Sequence, residues 1–131
     1  KKEKVFALLS DGELNEGSNW ESILFASHHK LENLVIIIDY NKIQSLDYIK
    51  NTIKLEPLKQ KFSSFGCDVI SINGHNHLEI FKLIKKKTTK PLVIIANTIK
   101  GKGVSFMENK VLWHYRPPSK IELEKGLKEL D

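Results

Sequence analysis

The run Leu34-Val35-Ile36-Ile37-Ile38-Asp39-Tyr40-Asn41-Lys42-Ile43-Gln44 passes abruptly from unbroken apolar residues to polar ones. A strand with one wet face alternates apolar and polar side chains, whereas Val35 to Ile38 does not alternate, so both faces of a strand over Leu34 to Asp39 are expected to be covered. Such strands belong to parallel sheets. Working outward, Val5 to Leu9 reads as a second buried strand, Cys67 to Ile72 as a third, and Leu92 to Ala96, introduced by Pro91, as a fourth. Helical patterns separate them. One is amphipathic over Asn19 to Lys30, one spans Leu55 to Phe65 with Pro57 in its first turn, and one runs from His77 to Lys87 behind an Asn76 cap. Ser119 caps a last helix towards Leu130. The order β-α-β-α-β-α-β-α predicts an α/β fold, a parallel sheet with helices on both faces, over residues 1–131 as a single domain.

Composition sets limits on the partners. The chain has 131 residues, 40% of them hydrophobic, and a net charge of +5. That length supports one hydrophobic core and not two. No stretch approaches the roughly 18 to 20 apolar residues needed to span a bilayer, and Lys1-Lys2-Glu3-Lys4 leads into a strand and not a signal-peptide core, so no membrane is expected. Cys67 is the single cysteine, which excludes an internal disulfide and fits a reducing, cytoplasmic compartment. Lys82, Lys85, Lys86 and Lys87 cluster at the expected end of a helix, where cations suit the macrodipole, and no recognition motif accompanies them. Nucleic acid is therefore not an expected partner. The chain opens on lysine, not methionine, with a strand following at once, so a fragment or a processed chain is expected.

Parallel sheets bind ligands beyond the carboxyl ends of their strands. There the sequence carries Ser10-Asp11-Gly12-Glu13-Leu14-Asn15-Glu16-Gly17 after the first strand, Asp39-Tyr40-Asn41-Lys42-Ile43-Gln44 after the second, and Lys100-Gly101-Lys102-Gly103 ending in Trp113-His114 after the fourth. The first two loops suggest Mg²⁺, which prefers about six oxygen ligands and takes one or two carboxylates while phosphates and water complete its shell. Asp11 offers a carboxylate, Asn41 an amide oxygen, and the backbone after Asn41 a carbonyl, that of Ile43. Gly12 lets the backbone approach a phosphate, and the following helix start favours negative charge. None of this needs Cys or His, so zinc is not expected.

The segment Asp11-Gly12-Glu13-Leu14-Asn15-Glu16-Gly17-Ser18-Asn19, followed thirty positions after Asp11 by Asn41, resembles the thiamine-diphosphate motif of transketolases. Leu55-Glu56-Pro57-Leu58, Phe65-Gly66, the stretch Gly101 to Asn109 and Trp113-His114 extend the resemblance to transketolase amino-terminal subunits over nearly the whole chain. It implies the thiamine-diphosphate-binding fold, incomplete at its amino end, with thiamine diphosphate and Mg²⁺ as cofactors and Ca²⁺ or Mn²⁺ as substitutes. Asp11, Asn41 and the carbonyl of Ile43 would hold the metal, with Gly12 and Glu13 beside the diphosphate. Glu16 would sit at a subunit interface and couple to the partner's cofactor-activating glutamate, and His114 would reach the cofactor phosphates or the substrate. The implied reaction moves a two-carbon ketol unit from a ketose phosphate to an aldose phosphate, in carbohydrate metabolism of the pentose phosphate type. The implied partner is a pyrimidine-binding domain or subunit, in a dimer or heterotetramer.

Two departures stand out. Ser10 occupies the position where the motif usually begins with glycine, and the upstream segment of a complete transketolase domain, with its further strands and histidines, has no counterpart here. The chain alone is not expected to turn over substrate. Deoxyxylulose-phosphate synthase and the E1 component of 2-oxoacid dehydrogenases share the anchor motif, and a non-catalytic scaffold would too; Asn15-Glu16-Gly17 and Trp113-His114 favour transketolase over the two enzymes. His28 and His29 read as helix-surface residues and His75 and His77 as loop and cap residues, while Lys100 and Lys102 fit either phosphate binding or solvation.

Overall fold

The computed structural model describes residues 3–131; Lys1 and Lys2, which the signal-peptide reading also used, lie outside the described residues. Four strands, β1 (Val5–Ser10), β2 (Leu34–Tyr40), β3 (Asp68–Asn73) and β4 (Leu92–Asn97), form one all-parallel sheet in the order β1-β2-β4-β3. The helices are α1 (Gly17–His28), α2 (Leu58–Ser64), α3 (His77–Ile84) and α4 (Lys120–Leu130), and two short 3-10 turns cover Gly12–Asn15 and Val111–His114.

The Val-Ile-Ile-Ile run is covered on both sides, as its lack of alternation requires. Ile36 and Ile38 of β2 join Val93 and Ile95 of β4 in a core with Ile23 of α1 and Leu58 and Phe62 of α2. On the opposite face Val35, Leu92 and Ile94 pack with Ile80 and Leu83 of α3. The chain thus winds from β1 through β3 with α1 and α2 on one face, then returns through α3 on the other and inserts β4 between β2 and β3. Helices therefore lie on both faces.

Several boundaries differ from expectation. α1 starts two residues earlier, at Gly17, and stops at His28, where Lys30 takes a φ of 49°. α2 begins only at Leu58, because Pro57 is its cap and not a first-turn residue. α3 ends at Ile84, so Lys85 to Lys87 lie beyond it; its terminal carbonyl of Ile84 accepts from Lys4 Nζ at 2.7 Å, which supplies the cation. The Asn76 and Ser119 caps form as expected, Ser119 within a capping box with Glu122.

β1 is the chief correction. It is an edge strand, with Phe6 51% and Leu8 71% exposed on the face that α3 covers only farther along the sheet. Register along the carboxyl edge aligns Ser10 with Asp39 and Asp39 with Ala96, and Tyr40 with Asn97 and Asn97 with Asn73, so the polar strand ends share one rim.

Candidate functional site

At that rim β1 delivers Asp11 and β2 delivers Asn41. Asp11 is only 1% exposed. The turn after it is pegged from below: Leu14 enters the core, its carbonyl accepts from Trp20 Nε1 at 2.8 Å, and the Glu13 carbonyl accepts from Asn19 Nδ2 at 2.7 Å. On the neighbouring loop Lys42 adopts a φ of 67°, a left-handed conformation disfavoured for a side-chain-bearing residue. Two hydrogen bonds hold it there. The Lys42 amide donates to Asp11 Oδ2 at 2.7 Å, and the Ile43 amide donates to Asn41 Oδ1 at 3.0 Å. The strained turn thereby fixes Asp11, Asn41 and Ile43 relative to one another.

A cleft of about 410 Å³ opens above this turn, and Asp11, Gly12, Glu13, Glu16, Asn41, Ile43 and His114 all line it. The structure thus brings together every residue singled out for the site, across a sequence span from Asp11 to His114. His114 arrives on a 3-10 turn anchored by its neighbour: Trp113 Nε1 donates to the Phe106 carbonyl at 3.1 Å, and the two rings meet edge to face at 5.4 Å. Arg116 stacks over the Trp113 ring at 4.6 Å and pairs with Glu122 at 2.6 Å. The anchor thus reaches the cap of α4.

Electrostatics distinguish the carboxylates of the cleft. Burial pushes the Asp11 carboxyl up, the Lys42 amide pulls it back, the Asp39 charge adds to the rise, and His114 opposes it. A buried carboxylate in that state favours a cation beside it. Glu13 is held differently. Its Oε2 accepts from the Ser10 amide at 2.7 Å and the Ser10 hydroxyl at 2.8 Å, which lowers its carboxyl below the usual range. Ser10 at the motif's usual glycine position therefore makes a local clasp with Glu13. Glu16 is exposed at the cap position of α1 and makes no side-chain capping bond.

Gly12 is informative by contrast. Gly66 and Gly101 have φ of 93° and 73°, and a Cβ there would meet Ser27 Oγ at 2.5 Å or Met107 Cβ at 2.7 Å, so packing demands glycine. A Cβ on Gly12 would meet nothing nearer than Gln44 Cγ at 3.7 Å. The fold does not require glycine at this position, and the space beside the backbone stays open.

Gln44 is a residue to which the sequence assigns no role. It is 9% exposed, its Oε1 accepts from Asn15 Nδ2 and Thr52 Oγ1 at 3.1 Å each, and its Nε2 is buried without a partner. Asp39, in the same motif, likewise has no role legible in the sequence; it accepts from Asn41 Nδ2 and from the Thr98 hydroxyl. A lone Gln or Asp at a strand end carries no spacing signal, so only packing reveals either. The other histidines do not enter this cleft. His28 and His29 lie edge to face at 5.0 Å on the surface of α1 and its cap, and His75 Nε2 accepts from the Ile99 amide at 2.8 Å. Lys102 pairs with Glu108 at 3.4 Å.

The chemistry of the donor set suits a hard cation. Among the described residues there is no group of three or more His, Cys, Asp or Glu side chains that would hold a metal; the candidate ligands are one carboxylate, one amide oxygen and one carbonyl. Such a shell leaves positions open for phosphate and water. Among the described residues no helix is long and apolar enough to cross a membrane.

Comparisons with known proteins agree on the family. The model of the transketolase thiamine diphosphate-binding domain matches residues 1–128. An apulose-4-phosphate transketolase subunit of Actinobacillus succinogenes is 41% identical over 98% of the chain and 48% of its own length. The 6-deoxy-6-sulfo-D-fructose transketolase subunit SqwG of a Clostridium species is 42% identical over 84% of the chain and 41% of its length. A transketolase crystal structure from Campylobacter jejuni superimposes with a TM-score of 0.92 at 34% identity, covering 98% of this chain and 21% of that one. The chain spans less than half the length of these relatives. It belongs to the transketolase amino-terminal, thiamine diphosphate-binding family.

Proposed function

We propose that this chain supplies the metal-and-diphosphate anchor for transketolase-type transfer of a two-carbon ketol unit from a ketose phosphate to an aldose phosphate. The observation that carries the reading is Asp11: a 1% exposed carboxylate, destabilised by burial and by Asp39, facing a cleft shared with Asn41 and Ile43. Mg²⁺, with Mn²⁺ or Ca²⁺ as substitutes, is the counter-ion that such a set selects. Asp11, Asn41 and the Ile43 carbonyl would hold it, and Gly12 leaves room for a diphosphate oxygen close to the backbone. The first turn of α1 at Gly17 adds partial positive charge on the same side.

When bound, thiamine diphosphate supplies the carbon nucleophile on which ketol transfer depends. The chain's own residues bind and orient. His114 stands exposed at the rim, where its ring nitrogens would hydrogen-bond substrate hydroxyl or phosphate oxygens. Glu13, clasped by the Ser10 amide and hydroxyl, shapes the loop. Glu16 projects at the outer edge, where a second polypeptide would meet it. Two of the relatives are named as subunits of transketolases, which supports a separate partner carrying the pyrimidine-binding domain, in a dimer or heterotetramer.

Calorimetric titration of thiamine diphosphate into the chain assembled with that partner tests the reading. Binding should need Mg²⁺, and Asp11→Ala should weaken it by more than about 100-fold, beyond the 10- to 100-fold typical of changes around a metal's ligands. Metal-independent binding, or no loss in Asp11→Ala, would sink the anchor role and favour a scaffold.

A further inference from the structure

Asn41 can serve a cation only through its oxygen, and an amide group is free to present either end. Something must choose. Asn41 Oδ1 accepts from the Ile43 amide at 3.0 Å, and its Nδ2 faces Asp39 Oδ2 at 3.4 Å. The other carboxylate oxygen of Asp39 accepts from the Thr98 hydroxyl, just beyond β4. Asp39 itself is the penultimate residue of β2, in register with Ser10 of β1 on one side and Ala96 of β4 on the other. Its backbone is thus fixed by two ladders and its carboxylate by Thr98.

We infer that Asp39 is a positioning residue for the metal site: held by Thr98, its carboxylate accepts an Asn41 amide hydrogen and, together with the Ile43 amide on the Asn41 oxygen, keeps that oxygen turned towards the cation. The inference rests on the cofactor reading above. Asp39 is suited to this because a carboxylate accepts at both oxygens, serving Thr98 and Asn41 together. An asparagine at position 39 has one acceptor. With that oxygen kept by Thr98, its own NH2 would face the NH2 of Asn41, the link between the two side chains would be lost, and only the Ile43 amide would still hold the Asn41 oxygen.

The inference predicts a pattern across three variants of the partner-assembled protein loaded with thiamine diphosphate, using Mn²⁺ affinity by electron paramagnetic resonance. Asp39→Asn should weaken Mn²⁺ by about 10- to 100-fold, the range for residues that orient metal ligands. The exchanged pair Asp39→Asn with Asn41→Asp restores every donor to an acceptor and should recover affinity to within about threefold of the parent. Thr98→Val keeps all charges and nearly all volume but frees the carboxylate, and should weaken Mn²⁺ about three- to tenfold. Parent-like affinity in Asp39→Asn, or an exchanged pair no better than Asp39→Asn, would overturn the role. Weak binding in Asp39→Asn beside parent-like binding in Thr98→Val would also overturn it, reducing Asp39 to a source of charge. If Asp39→Asn does not fold, Thr98→Val decides alone. A parent protein that binds no Mn²⁺ with thiamine diphosphate overturns the cofactor reading itself, a result separate from any of these.

Discussion

Two crevices lie along the same carboxyl edge of the sheet, and each has a histidine. At the β3–β4 end the polar groups serve one another: Asn97 Nδ2 donates to Ser71 Oγ and the Ile72 carbonyl, the Asn73 side chain accepts from the His75 amide, and His75 Nε2 accepts from the Ile99 amide. At the β1–β2 end groups are left wanting. Asp11 is buried with its charge opposed by burial, Gln44 Nε2 has no partner, and His114 stands exposed. Buried polar groups are normally satisfied, because each orphan costs about 1–3 kcal/mol. The contrast separates a crevice whose polar groups satisfy one another from one that keeps unsatisfied groups and that we propose takes a ligand, although both are polar and both sit where parallel sheets bind.

The two histidines offer the sharpest way to break that contrast. His114→Ala in the assembled, cofactor-loaded enzyme should lower kcat/KM by about 100-fold, as loss of a positioned acid-base or hydrogen-bonding group does, while the thermal midpoint stays put. A parent-like rate would leave the β1–β2 crevice without its histidine function. His75→Ala should behave in the opposite sense. It strips the Ile99 amide of its acceptor and should destabilise the chain by about 1–3 kcal/mol in denaturant melts, with thiamine diphosphate affinity unchanged. Unchanged stability combined with weakened cofactor binding would reverse the assignment of the two crevices.

A smaller effect concerns Asp11 without metal. Its carboxyl is raised in the folded state, so the unfolded chain ionises first as pH rises from below the usual carboxylate value. Asp11 therefore costs the metal-free fold stability that is retained at acid pH, below the unfolded value, and is lost as pH rises through the folded one. At pH 7 Asp11→Asn should stabilise the metal-free chain by roughly 1 kcal/mol, with the difference from the parent vanishing towards pH 3, as seen in thermal scans. Added Mg²⁺ and thiamine diphosphate should raise the parent's midpoint and not the variant's. A variant less stable than its metal-free parent at pH 7 would mean that Asp11 is a structural residue.

Much of this was legible along the chain. The unalternating Val35 to Ile38 run announced a strand covered on both faces, the Asn76 and Ser119 caps marked two helix starts, and the motif residues from Asp11 to His114 converge on one cleft. These signals are local, because periodicity, capping and motif spacing are written in neighbouring residues. Other features were not. Val5 to Leu9 looks as apolar as Leu92 to Ala96, yet β1 is an edge strand with Leu8 71% exposed while β4 sits centrally with Leu92 at 0%. Apolarity states what a strand would bury, not which neighbours it finds.

The sequence by itself determined the element order, the parallel character of the sheet and the residues proposed for the site, which line one cleft. Only the tertiary structure decided that β4 inserts between β2 and β3, that Ser10 clasps Glu13, that Gln44 keeps an orphaned amide, and that Thr98 reaches Asp39 behind Asn41. The physical reason is separation along the chain. Asp39 and Thr98 are 59 positions apart, and a hydrogen bond between them exists only once β2 and β4 have paired.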